Sequence, residues 1–181
     1  MFFDRDGVIN RAFIREGRPY PPASLREFEL LPGVLEAVNS LSSAGFLIVV
    51  VTNQPDVATG IQEKSVVEDM QSKIEELLPI NAFKVCYHQD KDDCSCRKPK
   101  PGMLLEAACQ CSIDLQHSYM VGDRWRDIEA GNSAGCKTIL IERGYFEKKA
   151  EDPTHVVTSI SEASALILSG LAGNNPKNEV G

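Results

Sequence analysis

The sequence has no long apolar run and no excess of basic residues, and each absence excludes a class of protein. No stretch approaches the roughly 20 apolar residues that a membrane-spanning helix requires. Acidic residues outnumber basic ones, 26 to 19, which gives a formal net charge of −7. Nucleic-acid-binding domains usually carry a basic face, so we expect no nucleic-acid partner and no membrane partner. Since no signal peptide precedes Asp4, we expect a cytoplasmic protein. We also expect the protein to be a monomer.

Cysteine is also uncommon, with 6 residues in 181, but three of them lie close together. In a cytoplasmic chain, clustered cysteines indicate a metal site before a disulfide. Three thiols and one imidazole form the ligand set of a closed, tetrahedral, structural zinc site. We therefore predict a structural Zn²⁺ bound by Cys86, His88, Cys94 and Cys96. The alternative is a set of free thiols beside an exposed histidine.

Apolar runs alternate with amphipathic segments along most of the chain. Continuous apolar runs are typical of strands buried on both faces, and their alternation with helices predicts crossover units. We expect an α/β protein with a three-layer, Rossmann-like fold and a mostly parallel sheet. Residues 1–172 would form one domain with a zinc loop at 86–96, followed by a disordered tail at 173–181. The predicted strands are residues 1–3, 46–51, 83–87, 118–121, 138–141 and 155–157, and the predicted helices are 32–44, 62–78, 101–111, 125–134 and 161–171.

Acidic residues follow several of the predicted strands. Asp4 and Asp6 follow the first strand, and Asp123 follows another, so these carboxylates should gather at one edge of the sheet. An aspartate there can form an aspartyl-phosphate. Two neighbouring carboxylates repel each other unless a cation lies between them, and hard oxygen ligands with phosphate favour Mg²⁺. Asp123 is a candidate metal ligand that Asp127 would support from the next helix. Alternatively, Asp4 and Asp6 only cap a strand.

Further polar groups would join these carboxylates. Thr52 offers a hydroxyl after an apolar strand, and Asn53 adds donors to a phosphate oxygen. Lys98 precedes a proline in an extended segment and can neutralise both a phosphate and a nucleophilic carboxylate. Taken singly, Thr52 and Asn53 could form a turn and Lys98 a solvated basic patch. Together these residues predict metal-assisted phosphoryl transfer, and we expect a phosphatase.

These residues resemble the four motifs of the haloacid dehalogenase-like hydrolase superfamily, in the family's order. The resemblance spans roughly residues 1–145. The matching segments are Asp4-Arg5-Asp6-Gly7-Val8-Ile9-Asn10, Thr52-Asn53-Gln54, Lys98-Pro99-X-Pro101, and Gly122-Asp123 with Asp127.

The resemblance implies a role for each motif residue. Asp4 would attack phosphorus, and Asp6 would act as general acid and then as general base. Thr52 and Lys98 would hold the phosphoryl oxygens. Catalytic Mg²⁺ would sit on Asp4, the backbone carbonyl of Asp6, and Asp123.

Two zinc-bearing branches of the superfamily look similar, the heptose bisphosphate phosphatases and the histidinol-phosphate phosphatases. The segment Arg97-Lys98-Pro99-Lys100-Pro101-Gly102-Met103 is closer to the first branch. The resemblance then implies that the substrate is a phosphorylated sugar and that the enzyme hydrolyses its C7 phosphate. Asn53, Arg97 and Arg124 would contact this substrate. The gaps between motifs leave no room for a large cap, so a flap at 7–32 and the zinc loop should supply the walls.

One loop departs from the pattern of the family. After the second motif, family members often read Asn-Gln-Ser-Gly, with a basic residue shortly before a glycine. This chain has Pro55-Asp56 and Thr59-Gly60 instead. The alternatives therefore include a histidinol-phosphate phosphatase, another small phosphomonoester phosphatase, and a non-catalytic phosphosugar-binding protein.

Overall fold

Strands and helices alternate through residues 1–173, the part of the chain that the computed structural model describes. The strands are β1 (Phe2–Phe3), β2 (Phe13–Arg15), β3 (Arg18–Tyr20), β4 (Val49–Asn53), β5 (Ala82–Cys86), β6 (Tyr119–Gly122), β7 (Lys137–Ile141) and β8 (His155–Val157). The helices are α1 (Val34–Ser43), α2 (Pro55–Ala58), α3 (Lys64–Leu77), α4 (Gly102–Cys111), α5 (Trp125–Ala134) and α6 (Ile160–Gly173).

Six strands form one sheet in the order β5-β4-β1-β6-β7-β8, and each neighbouring pair is parallel. Successive residues of a buried strand face opposite sides. Phe3 accordingly packs into a core with α1 and α6, whereas Phe2 packs into a second core with α4 and α5. The sheet therefore lies between two helical layers, which confirms the predicted three-layer α/β fold.

The boundary of β4 differs from the prediction. The sequence suggested residues 46–51, but the strand runs from Val49 to Asn53, so Thr52 belongs to the strand. Phe46 instead packs edge-on against Tyr119, and the N–H of Ile48 donates to the Asn81 side chain. Both apolar residues precede the strand and are held by tertiary contacts that the apolar pattern does not distinguish from strand pairing.

Two local features lie outside the predicted elements. The flap predicted at 7–32 contains an antiparallel hairpin of β2 and β3, and α2 begins at Pro55. The tail predicted at 173–181 lies outside the described residues except for Gly173, which ends α6. Within residues 1–173, no helix is long and apolar enough to cross a membrane.

Candidate active site

The carboxyl ends of the central strands bring the predicted acidic residues together. β1 lies between β4 and β6, and Phe3 pairs with Val50 on one side and Val121 on the other. The N–H of Asp4 continues this pairing by donating to the carbonyl of Val121 at 3.0 Å. Carboxylate oxygens of Asp4, Asp123 and Asp127 lie within 4.8 Å of one another. The structure thus brings Asp4 and Asp123 together with Asp127 at the carboxyl ends of the central strands.

Lys98 lies between two of these carboxylates. Its Nζ is 2.7 Å from Asp4 Oδ1 and 2.6 Å from Asp127 Oδ1, and it also donates to the carbonyl of Val51. The residue is only 2% exposed, so the solvated basic patch considered above is wrong. Burial lowers the pKa of Lys98, but the charges of Asp127 and Asp4 outweigh it and raise the pKa overall.

Asp4 keeps one oxygen free of this ion pair. Its Oδ1 accepts from Lys98, its Oδ2 accepts no hydrogen bond among the described residues, and the residue lines the cavity described below. The pKa of Asp4 is raised to about 6. Burial is the largest cause, the charge of Lys98 opposes it, and the charges of Asp127 and Asp6 add to it. The site therefore has more buried negative charge than Lys98 alone neutralises.

Asp123 is held from one side only. Its Oδ2 accepts a hydrogen bond of 2.6 Å from the hydroxyl of Tyr145, while its buried Oδ1 has no partner within residues 1–173. Burial, followed by the charges of Asp4 and Asp127, raises the pKa of Asp123 well above its usual value. A buried oxygen without a donor, among crowded carboxylates, fits a hard divalent cation.

Asp6 is surrounded by donors. Arg5 donates to it from two nitrogens at 3.0–3.2 Å, and Asn10 donates at 2.9 Å. Gln54 Nε2 donates both to Asp6 Oδ2 at 2.7 Å and to Thr52 Oγ1 at 2.9 Å. Asp6 is thus hydrogen-bonded both within its own motif and to Gln54, which follows β4.

Asn53 contacts protein rather than open space. Its Nδ2 donates to the carbonyl of Lys98 at 3.0 Å, and its Oδ1 accepts from the N–H of Lys98 at 3.1 Å. This reciprocal pair of hydrogen bonds fixes the backbone that carries the buried lysine. The Asn53 side chain still lines the cavity, so one amide hydrogen remains for a ligand.

A cavity of about 60 Å³ opens above these groups. The flap contributes Tyr20 to its wall together with two neighbouring prolines, as predicted for residues 7–32. Arg124 lines it while donating to Glu147 through Nε at 3.0 and 3.1 Å. The complete lining is Asp4, Asp6, Pro19, Tyr20, Pro21, Thr52, Asn53, Lys98, Arg124, Arg126 and Asp127.

The zinc loop does not line this cavity, and neither does Arg97, which corrects two expectations. Asp90 of that loop accepts from Arg97 Nε at 2.7 Å and from Arg126 at 3.0–3.2 Å. Arg97 consequently lines a neighbouring hollow with Pro99 and residues of the loop. Arg126 lines the cavity instead of Arg97. The loop therefore contributes to the cavity wall indirectly, because its Asp90 holds Arg126.

The four predicted zinc ligands converge. Sulfur–sulfur distances among Cys86, Cys94 and Cys96 are 3.2–3.6 Å, and His88 Nδ1 lies 3.6 Å from Cys86 and 3.4 Å from Cys96. A tetrahedral zinc–thiolate site has ligand–ligand edges of about 3.8 Å. All four ligand atoms lie within 4.8 Å of one another, so the cluster could bind zinc. Burial raises the pKa of the Cys86 thiol, which makes a free thiolate there unfavourable.

Sequence reasoning missed several side chains that shape the site. Gln54 is the last residue of the second motif but had no assigned role, and its amide bridges the Thr52 hydroxyl and the Asp6 carboxylate. Arg126, Tyr145 and Glu147 reach the site only through contacts between distant parts of the chain. No local pattern marks these three residues.

The fold is shared with known enzymes. A family model described as HAD-hydrolase-like matches residues 95–163. The chain belongs to the haloacid dehalogenase-like hydrolase family, and it is a phosphomonoester hydrolase.

Two relatives and one solved structure that this chain resembles are heptose bisphosphate phosphatases. The D-glycero-beta-D-manno-heptose-1,7-bisphosphate 7-phosphatase of Pseudomonas aeruginosa is 34% identical over 176 residues, covering 94% of this chain and 96% of the relative. The enzyme of the same name from Pasteurella multocida is 33% identical over 183 residues, covering 92% and 95%. A crystal structure of D,D-heptose 1,7-bisphosphate phosphatase from B. bronchiseptica, complexed with magnesium and phosphate, superposes with a TM-score of 0.82. It is 28% identical and covers 94% of this chain and 98% of that one.

Proposed function

We propose that this chain is a magnesium-dependent phosphatase that removes the C7 phosphate of D-glycero-D-manno-heptose 1,7-bisphosphate through an aspartyl-phosphate intermediate. The observation that carries the proposal is a small cavity lined by Asp4 together with Lys98, Arg124 and Arg126, in which Asp4 Oδ2 accepts no hydrogen bond from the described residues. The names of the relatives support this substrate, and the magnesium and phosphate bound to the B. bronchiseptica enzyme support the cofactor.

The carboxylate cluster suits Mg²⁺. Asp4, Asp123 and the backbone carbonyl of Asp6 would hold the ion, with Asp127 supporting it while paired to Lys98. Bound Mg²⁺ supplies positive charge for the phosphoryl oxygens and lets the carboxylates stay ionised together. The unpartnered Oδ1 of Asp123 is the atom that most directly calls for such an ion.

The chain's own groups then account for the chemistry. Asp4 Oδ2 attacks phosphorus, the bond from phosphorus to the C7 oxygen breaks, and Asp6 gives the departing oxygen its proton. Thr52 and Lys98 hold the phosphoryl oxygens during this transfer. A water molecule next attacks the phosphorus of the aspartyl-phosphate while Asp6 accepts the water's proton. Inorganic phosphate leaves and Asp4 is restored as a carboxylate.

The cavity is matched to a phosphoryl group rather than to a whole sugar bisphosphate. A volume of about 60 Å³ leaves the sugar and the second phosphate outside. Arg124 and the Asn53 amide would meet the part of the substrate nearest the cavity. Arg97, which lies beside it, would reach only groups that project toward the zinc loop.

We also propose that the Cys86, His88, Cys94 and Cys96 cluster holds structural Zn²⁺. Its donor set and spacing support zinc over a harder ion. Zinc would order the loop that presents Asp90 to Arg97 and Arg126. The ion's contribution to activity is then indirect, because it fixes the arginine that forms one wall of the cavity.

Replacing Cys94 by serine should remove the zinc and weaken substrate binding. Cys94 is preferable to Cys86 for this test because Cys86 is buried in the core beneath α4. With the loop released, Arg126 loses Asp90, and we expect KM to rise about 10-fold with a smaller change in kcat. The measurements are zinc content by elemental analysis and steady-state kinetics with Mg²⁺.

The matched control is Cys109→Ser, which changes an exposed cysteine outside the cluster and should leave zinc content and KM unchanged. A Cys94→Ser protein that keeps one zinc per chain, or keeps its KM, would contradict the bracing role.

The substrate is tested by phosphate release with Mg²⁺ from both anomers of heptose 1,7-bisphosphate, from histidinol phosphate and from a broad sugar-phosphate panel. We expect one heptose anomer to give the highest kcat/KM. Preference for histidinol phosphate would replace the proposed substrate, and Tyr20 would then be the aromatic group available to an imidazole. Binding without any turnover would favour a phosphosugar-binding protein.

Three broader expectations complete the proposal. Residues 1–172 act as one hydrolase domain, the protein works in the cytoplasm, and it works as a monomer. Sedimentation of the purified chain tests the last of these directly.

A further inference from the structure

A short segment after β7, residues 143–147, contacts the edge of the carboxylate site. We call it the strap. Tyr145 of the strap donates its hydroxyl to Asp123 Oδ2 at 2.6 Å, and Asp123 is 4% exposed. The sequence motifs give no reason to expect this contact, because the strap follows the last of them.

The hydrogen bond leaves the two oxygens of Asp123 in different situations. Oδ2 is bound to Tyr145, whereas Oδ1 is buried with no partner in the described residues. A second restraint acts on Oδ2, since a Cβ atom placed on Gly7 would lie only 1.8 Å from it. The carboxylate is therefore wedged between the glycine backbone and the phenol. Oδ2 is thus restrained on two sides, and Oδ1 is left as the oxygen without a protein partner in the described residues.

The strap itself is anchored at both ends of Tyr145. Arg143 donates to the carbonyl of Gly7 at 3.0 Å, and the N–H of Phe146 donates to the carbonyl of Gly17 in the flap at 2.8 Å. These bonds hold the phenol in place although the strap has no regular secondary structure. The Tyr145 hydroxyl is thus a preorganised hydrogen-bond donor to Asp123, because the backbone on both sides of Tyr145 is held.

We propose that Tyr145 is a positioning residue for the divalent cation, which directs Oδ1 of Asp123 to the ion by occupying Oδ2. The proposal rests on the magnesium site proposed above. A phenol suits the task because it donates one hydrogen bond and carries no charge. Its loss would free the carboxylate to rotate, and the ion would then have to fix it again on binding.

The test is calorimetric titration of Mg²⁺ into the metal-free full chain without substrate. We expect Tyr145→Phe to raise the Kd for Mg²⁺ about 10-fold or more, the range found when a hydrogen-bond partner of a metal ligand is removed. In phosphate-release assays, half-saturation by Mg²⁺ should rise by a similar factor. At saturating Mg²⁺, kcat and KM should stay within about twofold of the unsubstituted protein, which general damage to the fold would not achieve.

Tyr119→Phe is the matched control. Tyr119 is the first residue of β6 and lies at the amino-terminal end of this strand, opposite the end that carries Asp123. Its ring packs against Phe46. The Tyr119→Phe variant also loses one phenol hydroxyl, and its Kd for Mg²⁺ should stay within twofold of that of the unsubstituted protein. In an Asp123→Asn background, adding Tyr145→Phe should change the remaining affinity by less than twofold, because the two residues act as one unit.

Two results would overturn the proposal, and they differ in scope. An unchanged Kd in Tyr145→Phe, or an undiminished effect in the Asp123→Asn background, removes Tyr145 from the cation site and leaves the proposed phosphatase intact. Failure of the unsubstituted chain to bind Mg²⁺ would reject the magnesium dependence and the role of Tyr145 together.

Discussion

Replacing Asp4 by asparagine should abolish phosphate release, with a loss of at least about 10⁴-fold in kcat. Asp4 lines the cavity, contacts buried Lys98 through Oδ1 and keeps an Oδ2 that accepts no hydrogen bond among the described residues, whereas the oxygens of Asp127 contact Lys98 and the N–H of Arg124. An amide of the same shape can neither attack phosphorus nor carry the transferred phosphoryl group. Steady-state phosphate release with saturating Mg²⁺ measures the effect.

The stability of the same variant separates a catalytic role from a structural one. Burial raises the pKa of Asp4 to about 6 in the folded chain, above the value of 3.8 expected when unfolded. Ionisation of Asp4 therefore costs folding free energy as the pH rises from about 4 to about 6, and the cost persists at neutral pH. Without metal at pH 7, Asp4→Asn should melt at the same temperature as the unsubstituted chain or at a higher one.

Asp114→Asn provides the control, since the exposed Asp114 carboxylate contacts only the His117 ring and the N–H of Gln116 among the described residues. It should keep full activity. A turnover within tenfold of normal in Asp4→Asn would reject Asp4 as the nucleophile. Inactivity together with a large fall in melting temperature would mean that the fold, and not the chemistry, had been lost.

Replacing Lys98 by methionine should reduce both stability and activity by large amounts. The change leaves Asp4 and Asp127 buried and close together without their shared cation. Removing one member of a buried ion pair costs about 3–5 kcal/mol of unfolding free energy. Methionine has a similar length and can fill the same space, so the cost should come mainly from charge. Urea denaturation of the metal-free protein measures it.

Activity should fall about 10³-fold in the same variant, because Lys98 is also the group proposed to hold a phosphoryl oxygen. Assays well below the unfolding transition separate this loss from unfolding. Lys100→Met is a close control: Lys100 lies two residues on, is exposed, and pairs with Asp93 at the surface. Normal turnover in Lys98→Met with reduced stability would restrict Lys98 to a structural role.

The sequence predicted the fold well because its strongest signals are local. Continuous apolar runs marked the buried strands, and three of them placed Asp4, Thr52 and Asp123 at one edge. The β4 boundary was wrong because Phe46 and Leu47 are apolar but precede the strand, with Leu47 43% exposed. An apolar run alone does not separate strand pairing from packing beside a strand.

The site was predictable where residue types and spacing carry the chemistry. Lys98 and the group of Cys86, His88, Cys94 and Cys96 were proposed on this basis, and the structure brings the four members of the group together. Arg126 replaced Arg97 in the cavity wall because Asp90 binds both arginines, and the direction of each depends on a loop fold that spacing does not determine. Tyr145 and Glu147 act through hydrogen bonds to residues about 20 positions away.

The shortest strand carries the proposed nucleophile, and this affects how the chain must fold. β1 has two residues, and its hydrogen bonds are all to β4 and β6, which lie far along the sequence. Such a strand has no local means of forming early, because the entropy of closing two long loops must be overcome first. Asp4 therefore reaches its place only after the segments that carry Thr52 and Asp123 have docked on either side. Catalytic activity is accordingly gained late in folding. Its recovery reports assembly of the whole sheet, whereas helical content reports only the formation of separate parts of the fold.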